Sequence, residues 1–479
     1  MRPATQFQQI AAREQGLRRT LSARQMAMIA IGGAIGTGLF LGSGFAIGFA
    51  GPSVLISYAI GALISLLLMG CLAEMTVAHP TSGSFGAYAE HYVSPWAGFL
   101  VRYAYWMCIV LAVGTEVTAI ALYMKYWFPD VPGWMWIVGF SALLVLVNAL
   151  SVNLFGTVEY WFSAIKIFAI VAFIVLGAYV VFVNPTLVTG SGGAAGFHHY
   201  VDHGGFLPHG LWGMWVAVII SIFSYLSIEM IAVAAGEAQD PERAVTQAFR
   251  STVVRLVLFY LVTLALMLAI VPWTVAGRDE SPFVKVLIAA HLPGAAGFIN
   301  FVVLIAALSA MNSQLYITSR MIFSLARAGH APRRLGQVNA RGVPLGALLV
   351  STGGIAVATA ASVLYPEGAF TFMMAISMFG AMFTWLMIFV THYRFRRHWE
   401  ASGAALRFRM PGFPFLTLLG AGLMLAVMIT TLFTQEFRMT MVFGGLFLLV
   451  LSAAYFFRYR NVRAVPADGG ALPSAAASE

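Results

Sequence analysis

Charge is what this sequence has least of: Asp, Glu, Lys and Arg make up 9% of its 479 residues, against about 25% in soluble globular domains. Hydrophobic residues make up 60%, and the mean hydropathy is +0.85. So little polar surface excludes a water-soluble fold. Cysteine is nearly missing as well. Cys71 and Cys108 both fall inside apolar runs, which argues against a disulfide framework or a cysteine metal cluster. Long polar stretches are scarce: away from the ends the longest runs from Asn184 to Leu207, too little for a further soluble domain. The first 25 residues are polar and basic rather than apolar, so no cleavable signal peptide is expected. A β-barrel is excluded too, because its strands alternate polarity over about 10 residues, and here long runs are apolar on both parities.

What is present is a series of apolar runs, and roughly 20 apolar residues suffice to cross a bilayer as a helix. Twelve spans are read, at 26–50, 53–78, 97–123, 134–153, 159–183, 210–235, 251–275, 296–326, 344–364, 369–391, 413–434 and 439–457. The expected fold class is an all-α, polytopic membrane protein with 12 transmembrane helices. It divides into an N-terminal segment (1–25), a transmembrane domain (26–458) and a tail (459–479) rich in Ala, Pro, Gly and Ser, a composition that favours disorder. Basic residues sort by side. Arg13, Arg18, Arg19 and Arg24, then Arg243 and Arg250, Arg327 to Arg341, Arg394 to Arg409, and Arg458 to Arg463 fall on one face; Lys125, Arg278, Lys285 and Arg438 fall on the other. That bias predicts both termini in the cytoplasm. The net charge of +9 thus records topology, with the lipid bilayer as the partner and no nucleic acid.

The first span carries Gly32-Gly33-Ala34-Ile35-Gly36-Thr37-Gly38-Leu39-Phe40 near its middle, where each glycine costs about 1 kcal/mol of helix relative to alanine. Small residues four apart also serve close helix packing. Five spans on, the sixth contains Ile222-Phe223-Ser224-Tyr225-Leu226-Ser227-Ile228-Glu229, a serine-flanked stretch with a carboxylate. It holds no glycine or proline, so it predicts a break only weakly. Interrupted spans at matching places in two halves point to an inverted-repeat transporter with its site at the midplane. Five spans, five more and two extra account for all twelve. This favours binding over packing for the glycine segment. The amides that open a half-helix suit a carboxylate, and unwound carbonyls suit an ammonium; together they would hold an amino acid with no bound metal and no cofactor. Gly36-Thr37-Gly38 is not a dinucleotide fingerprint, since no third glycine follows at the needed spacing and no strand precedes it.

Five ionisable residues within spans stand out as candidates: Glu74, Glu116, Lys166, Glu229 and Arg320. Such residues are expensive in lipid and mark function by default. Glu74 and Arg320 sit towards the cytoplasmic ends, where reaching the interface or holding a neighbouring helix is the favoured reading. Glu116 and Lys166 are deeper and of opposite sign; a structural ion pair and a proton-responsive pair both fit them. Glu229 follows the second interruption by two residues, which favours a functional role. His198, His199 and His203 share one external loop and read as a solvated segment rather than a metal site.

Gly33 to Gly38, Ala73-Glu74-Met75 with Pro80-Thr81-Ser82-Gly83-Ser84, Tyr126 to Pro129, Lys166, Glu229, Glu237 to Glu242, Asn312-Ser313 and Ser319-Arg320-Met321 resemble the amino acid permeases of the amino acid–polyamine–organocation superfamily. The likeness is greatest to the bacterial amino acid transporter branch and covers about Leu17 to Arg460. It implies the LeuT-type fold, a 5+5 inverted repeat plus two C-terminal helices, in the bacterial inner membrane. It also implies import of an amino acid, usually driven by protons. Carried over position by position, the resemblance puts the substrate carboxylate on the amides of Gly36, Thr37 and Gly38. The amine falls to carbonyls at Ala34 or Ile35, Phe223 and Leu226. Phe223 would be the gate, with Ser227 and Asn312 in the pocket. Lys166 occupies the place where sodium-driven relatives bind their ion, and Glu116 or Glu229 would tune its proton. Three departures bear on substrate identity: Ser227 and Gln314 where relatives often have glycine, and Arg102-Tyr103-Ala104-Tyr105-Trp106 where they often read Gly-Trp-Asn-Tyr-Trp. The expected function is proton symport of a neutral amino acid. A permease for GABA or another ω-amino acid is the narrower rival, and an amino-acid sensor without transport the rival of a different class. No nucleophile–base pair suggests an enzyme, and no filter motif a channel.

Overall fold

Helices carry the chain, as the uninterrupted apolar runs require of backbone that has no water to bond with. The computed structural model describes residues 6–13, 17, 19–188, 194–277, 281–289, 294–365, 368–403 and 405–460. In chain order the helices are α1 (Gln6–Arg13), α2 (Ala23–Ala34), α3 (Ser43–Ala50), α4 (Val54–Ala78), α5 (Ser84–Tyr92), α6 (Pro95–Met124) and α7 (Gly133–Leu150). There follow α8 (Val152–Phe182), α9 (Gly210–Tyr225), α10 (Met230–Ala234), α11 (Pro241–Ile270), α12 (Trp273–Ala276) and α13 (Pro282–Ala289). The last are α14 (Ala295–Arg327), α15 (Leu345–Ser351), α16 (Gly353–Leu364), α17 (Ala369–Ser402), α18 (Phe415–Phe433) and α19 (Arg438–Ala454). Among the described residues there is no strand, only an isolated bridge between Leu21 and Ala238.

Ten segments among the described residues are long and apolar enough to cross a membrane. Each of the twelve sequence-read spans falls on helix, because the segment Gly38–Ala78 joins the second half of the first span to the whole of the second, and α11 supplies the seventh. The chain packs in two tiers. α6 packs against both α14 and α17, and all three are buried along most of their length. α7, α18 and α19 instead turn large apolar side chains such as Leu143, Leu418 and Leu449 outward, as lipid-facing helices do.

Several boundaries move, each for a local reason. The fifth span begins at Val152 rather than 159, because Ser151 caps it by accepting from the Leu154 N–H at 3.0 Å, a typical N-cap. Glu159 therefore lies two turns inside a helix and not at its edge. The seventh reaches back to Pro241, with Asp240 accepting from the Arg243 N–H. The tenth runs on to Ser402, since His392 and Arg396 turn inward to Glu74 instead of entering water. The sixth is broken outright: α9 ends at Tyr225, Ser227 takes φ +80°, and α10 starts at Met230. Residues 461–479, which hold nearly all of the expected tail, lie outside the described residues.

Candidate functional site

The two broken helices meet. α2 stops at Ala34, Ile35 and Gly36 bend the chain, and a π-helical turn over Gly38–Gly42 leads into α3. α2 packs against α10, and α3 against α9, so the first half of one broken span lies beside the second half of the other. That is the antiparallel crossing an inverted pair makes. Ser224 Oγ donates to Gly38 O at 2.8 Å and also bonds Tyr58 Oη at 2.8 Å. Ser281 Oγ donates to Phe40 O at 2.7 Å. A side chain at Gly38 would meet the Ser224 Cα at 2.7 Å and the Phe223 O at 3.2 Å, and one at Gly33 the Ser227 Cβ at 3.4 Å. Neither Gly36 nor Gly38 takes a left-handed φ, so close approach, and not a glycine-only conformation, is what excludes a side chain at Gly38.

Around the first break sit buried polar atoms whose only polar neighbours among the described residues are one another, short of ordinary hydrogen-bond geometry. Thr37 Oγ1, Glu116 Oε2 and Gln314 Oε1 are buried without a hydrogen-bond partner among the described residues, and Thr37 and Gln314 both face the Glu116 carboxylate. Glu116 Oε1 would stand 3.5 Å from a Cβ at Gly36. Leaving such a group unsatisfied costs about 1–3 kcal/mol, so a cluster of them marks where a polar ligand would be welcomed. Phe223 is buried on α9 with its ring edge facing Gly42, and Leu226 and Ser227 form the second break beside it. Ser227 is buried and its N–H donates to Glu229 Oε1 at 3.3 Å.

The structure separates the expected coupling residues. Lys166 Nζ donates to Ile35 O at 2.9 Å, inside the first break, and to Ser309 Oγ at 2.8 Å. Glu116 lies within electrostatic reach of it, as does Glu159. Glu229 points elsewhere: Tyr105 Oη donates to its Oε1 at 2.6 Å, and Tyr105 is eleven residues from Glu116 on α6, about 16 Å by helix rise. Asn312 is not open to a pocket, because its amide donates to Glu159 Oε2 at 3.1 Å and its oxygen accepts from Asn148 at 2.8 Å.

Other charged residues tie the frame together. Glu74 bonds His392 at 3.2 Å, the Met410 N–H at 2.7 Å and the Arg396 guanidinium. Arg320 pairs with the buried Glu237 at 2.8 Å and lies over the Tyr316 ring. Arg102 is fully buried, bonding Glu90 at 2.8 Å and Ser324 at 2.9 Å; it braces α5 against α6 and α14, while Tyr105 of the same departing stretch reaches Glu229 beside the second break. Burial pushes the Glu90 carboxyl up, but the Arg102 and Arg13 guanidiniums outweigh it and hold it below the ordinary range. Cys71 and Cys108 are buried and free. The loop of His198 to His203 is less solvated than expected: His199 is buried, within a group where His198, His199 and Asp202 offer ligand atoms within 4.8 Å of one another. Sequence reasoning missed Glu159 and Glu237. Glu159 stood on a span boundary, and Glu237 was visible only as part of the family motif.

The profile of the amino acid permease family matches residues 25–465. The chain is 37% identical over 445 residues to an uncharacterized amino acid permease, YtnA, of Bacillus subtilis, covering 92% of this chain and 95% of that one. It is 37% identical over 452 residues to the aromatic amino acid transport protein AroP of Escherichia coli, covering 94% and 98%. Over 451 residues it is 38% identical to the gamma-aminobutyric acid permease of Bacillus subtilis, covering 94% and 95%. With two broken helices crossing at a cluster of unsatisfied buried polar atoms and a family match over nearly its whole length, the chain belongs to the amino acid permease family, as a multi-pass membrane transporter and not an enzyme.

Proposed function

We propose that this protein is a secondary active importer of an amino acid that works by proton symport and alternating access on a LeuT-type 5+5 repeat with two added helices. The observation that carries this is the crossing of the two breaks, held by the Ser224 Oγ to Gly38 O bond at 2.8 Å, beside the unsatisfied atoms of Thr37, Glu116 and Gln314. The substrate carboxylate meets the amides of Gly36, Thr37 and Gly38, where the first N–H groups of a helix have no intrahelical partner. The ammonium meets carbonyls of Ala34, Phe223 and Leu226; Ile35 O, already accepting from Lys166, is the weakest acceptor among these neighbours. Phe223 closes over the substrate and Ser227 shapes the wall. Lys166 carries the coupling charge, because its ammonium reaches into the first break. The transmembrane domain is 26–458, flanked by cytoplasmic segments 1–25 and 459–479, in the inner membrane.

The printed names of the relatives span aromatic amino acids and γ-aminobutyrate, and similar identity to both keeps an ω-amino acid as the second reading. Purified protein in proteoliposomes decides between them. Uptake of a labelled amino acid panel, with GABA as competitor, is expected to follow an inward proton gradient and to ignore sodium. Absence of any substrate flux, with ligand-induced thermal stabilisation intact, would make the protein a sensor. Cysteines placed at 198–203 are expected to react with an impermeant maleimide from outside, and ones near Arg334 not; reversed labelling overturns the orientation.

A further inference from the structure

Glu159 is fully buried in α8, seven residues before Lys166. Seven residues are close to two helical turns, so the two side chains share one face about 10 Å apart along the axis. Ser309 of α14 stands between them. Its Oγ accepts from Lys166 Nζ at 2.8 Å and donates to Glu159 Oε1. The second oxygen of Glu159 accepts from Asn312 at 3.1 Å, and Asn312 in turn accepts from Asn148 at 2.8 Å. A carboxylate this deep in a membrane protein needs a reason. Every hydrogen bond to it comes from a neutral group, and Lys166 is the charge that acts on it. Two carboxylates face Lys166 electrostatically, Glu159 from its own helix and Glu116 from α6; Glu229 is held by Tyr105 and the Ser227 N–H.

We propose that Glu159 is the proton-exchanging partner of Lys166, with the Ser309 hydroxyl as the bridge, a reading that rests on the proton symport proposed above. In the transfer an N–H bond of the Lys166 ammonium breaks as its proton passes to Ser309 Oγ. The O–H bond of Ser309 breaks as its own proton passes to Glu159 Oε1. The serine ends as a hydroxyl, and an ammonium–carboxylate pair becomes an amine and a carboxylic acid, with no net charge moved into or out of the site. The chain has a direction. Lys166 touches the first break through Ile35 O. Glu159 lies on the Ser151 side of Lys166 in α8, and Leu150, which precedes Ser151, accepts from Arg341 through its carbonyl on the basic side. The proton is therefore handed from the substrate site towards the face that imported substrate leaves by.

The test uses full-length protein in proteoliposomes with an internal pH dye, and the amino acid from the labelled panel that wild type takes up fastest. Glu159→Gln is expected to lose substrate-linked proton uptake and gradient-driven accumulation by about tenfold or more. Substrate counterflow is expected to stay within about threefold of wild type, a split that a merely structural role would not produce. Glu159→Asp is expected to restore part of the coupling. Should Glu159→Gln fail to yield monodisperse protein, Ser309→Ala, which keeps both charges and removes the bridge, is expected to show the same split. Proton uptake at the wild-type ratio in either variant overturns the proposal and leaves symport standing; so does loss of coupling in Glu116→Gln alone. A wild type that concentrates substrate with no proton uptake overturns the symport reading and this proposal with it.

Discussion

A single methyl group at Gly38 tests the site most sharply. Its Cβ would lie 2.7 Å from the Ser224 Cα, 3.1 Å from the Ser224 N and 3.2 Å from the Phe223 O. All three are backbone atoms of α9, so no side chain can rotate away. Ordinary contact begins at 3.4 Å, so the π-helical turn at Gly38 and α9 must part from 2.7 to at least 3.4 Å where they cross. The same movement stretches the Ser224 Oγ to Gly38 O bond, now 2.8 Å. Overpacking of a close contact costs about 1–3 kcal/mol. At 1.4 kcal/mol per tenfold, the cost is about a 5- to 150-fold loss of affinity if it falls on the liganded state. Gly38→Ala is therefore expected to weaken substrate binding by that factor, and Gly38→Val to abolish it, with both proteins still inserted in the membrane. Gly36→Ala, which meets the Ala310 Cβ at 3.1 Å rather than a backbone atom at 2.7 Å, is expected to cost less because its neighbour needs to give by only a few tenths of an ångström. Gly139→Ala, in open space, is the neutral control. Binding is read from thermal stabilisation by substrate over a concentration series, alongside monodispersity in detergent. A Gly38→Ala protein that binds as wild type does refutes the close-approach argument.

Phe223→Ala is expected to raise KM and loosen selectivity while Phe223→Trp keeps transport of small substrates; a fall in folded protein at unchanged KM would show that the ring only packs. Glu237→Ala leaves the buried Arg320 guanidinium without its carboxylate, and breaking such a pair costs about 3–5 kcal/mol, so a lower Tm and yield are expected; an unchanged Tm contradicts the pairing. The pH dependence has a definite sign. Outside the spans, burial lowers His330 from 6.5 to about 4, assisted by Arg102, and burial lowers His79 to about 4, assisted by His91 and His398. An unfolded chain takes these protons near pH 6.5 and the folded one only near 4, so the folded state loses stability as pH falls through that window. Tm in detergent is expected to drop between pH 6.5 and 4, and to drop less in His330→Gln; an equal drop in that variant refutes the assignment.

What the sequence settled by itself was class and layout. Nine per cent charge with long apolar runs leaves only bundled helices in a bilayer, since lipid offers backbone groups no partner. The glycines of Gly36-Thr37-Gly38 announced the first break, because intrinsic helix propensity is local. The second break was barely legible. Phe223 to Glu229 contains no helix breaker, and the turn at Ser227 is held by contacts that sequence spacing cannot show: the Ser227 N–H on Glu229, Tyr105 on the same carboxylate, and Tyr260 on the Ser224 carbonyl at 2.9 Å. Charge partners were decided the same way. Glu74 and Arg396, Arg320 and Glu237, and Arg102 and Glu90 are far enough apart in the chain, or faint enough in pattern, that only packing brings them together. Glu159 makes the point most clearly. Its distance from Lys166 is fixed by helix geometry and could be read from spacing, but the serine and asparagines that connect it come from α14 and α7. Helix periodicity places residues on a face, and tertiary packing alone determines what that face meets.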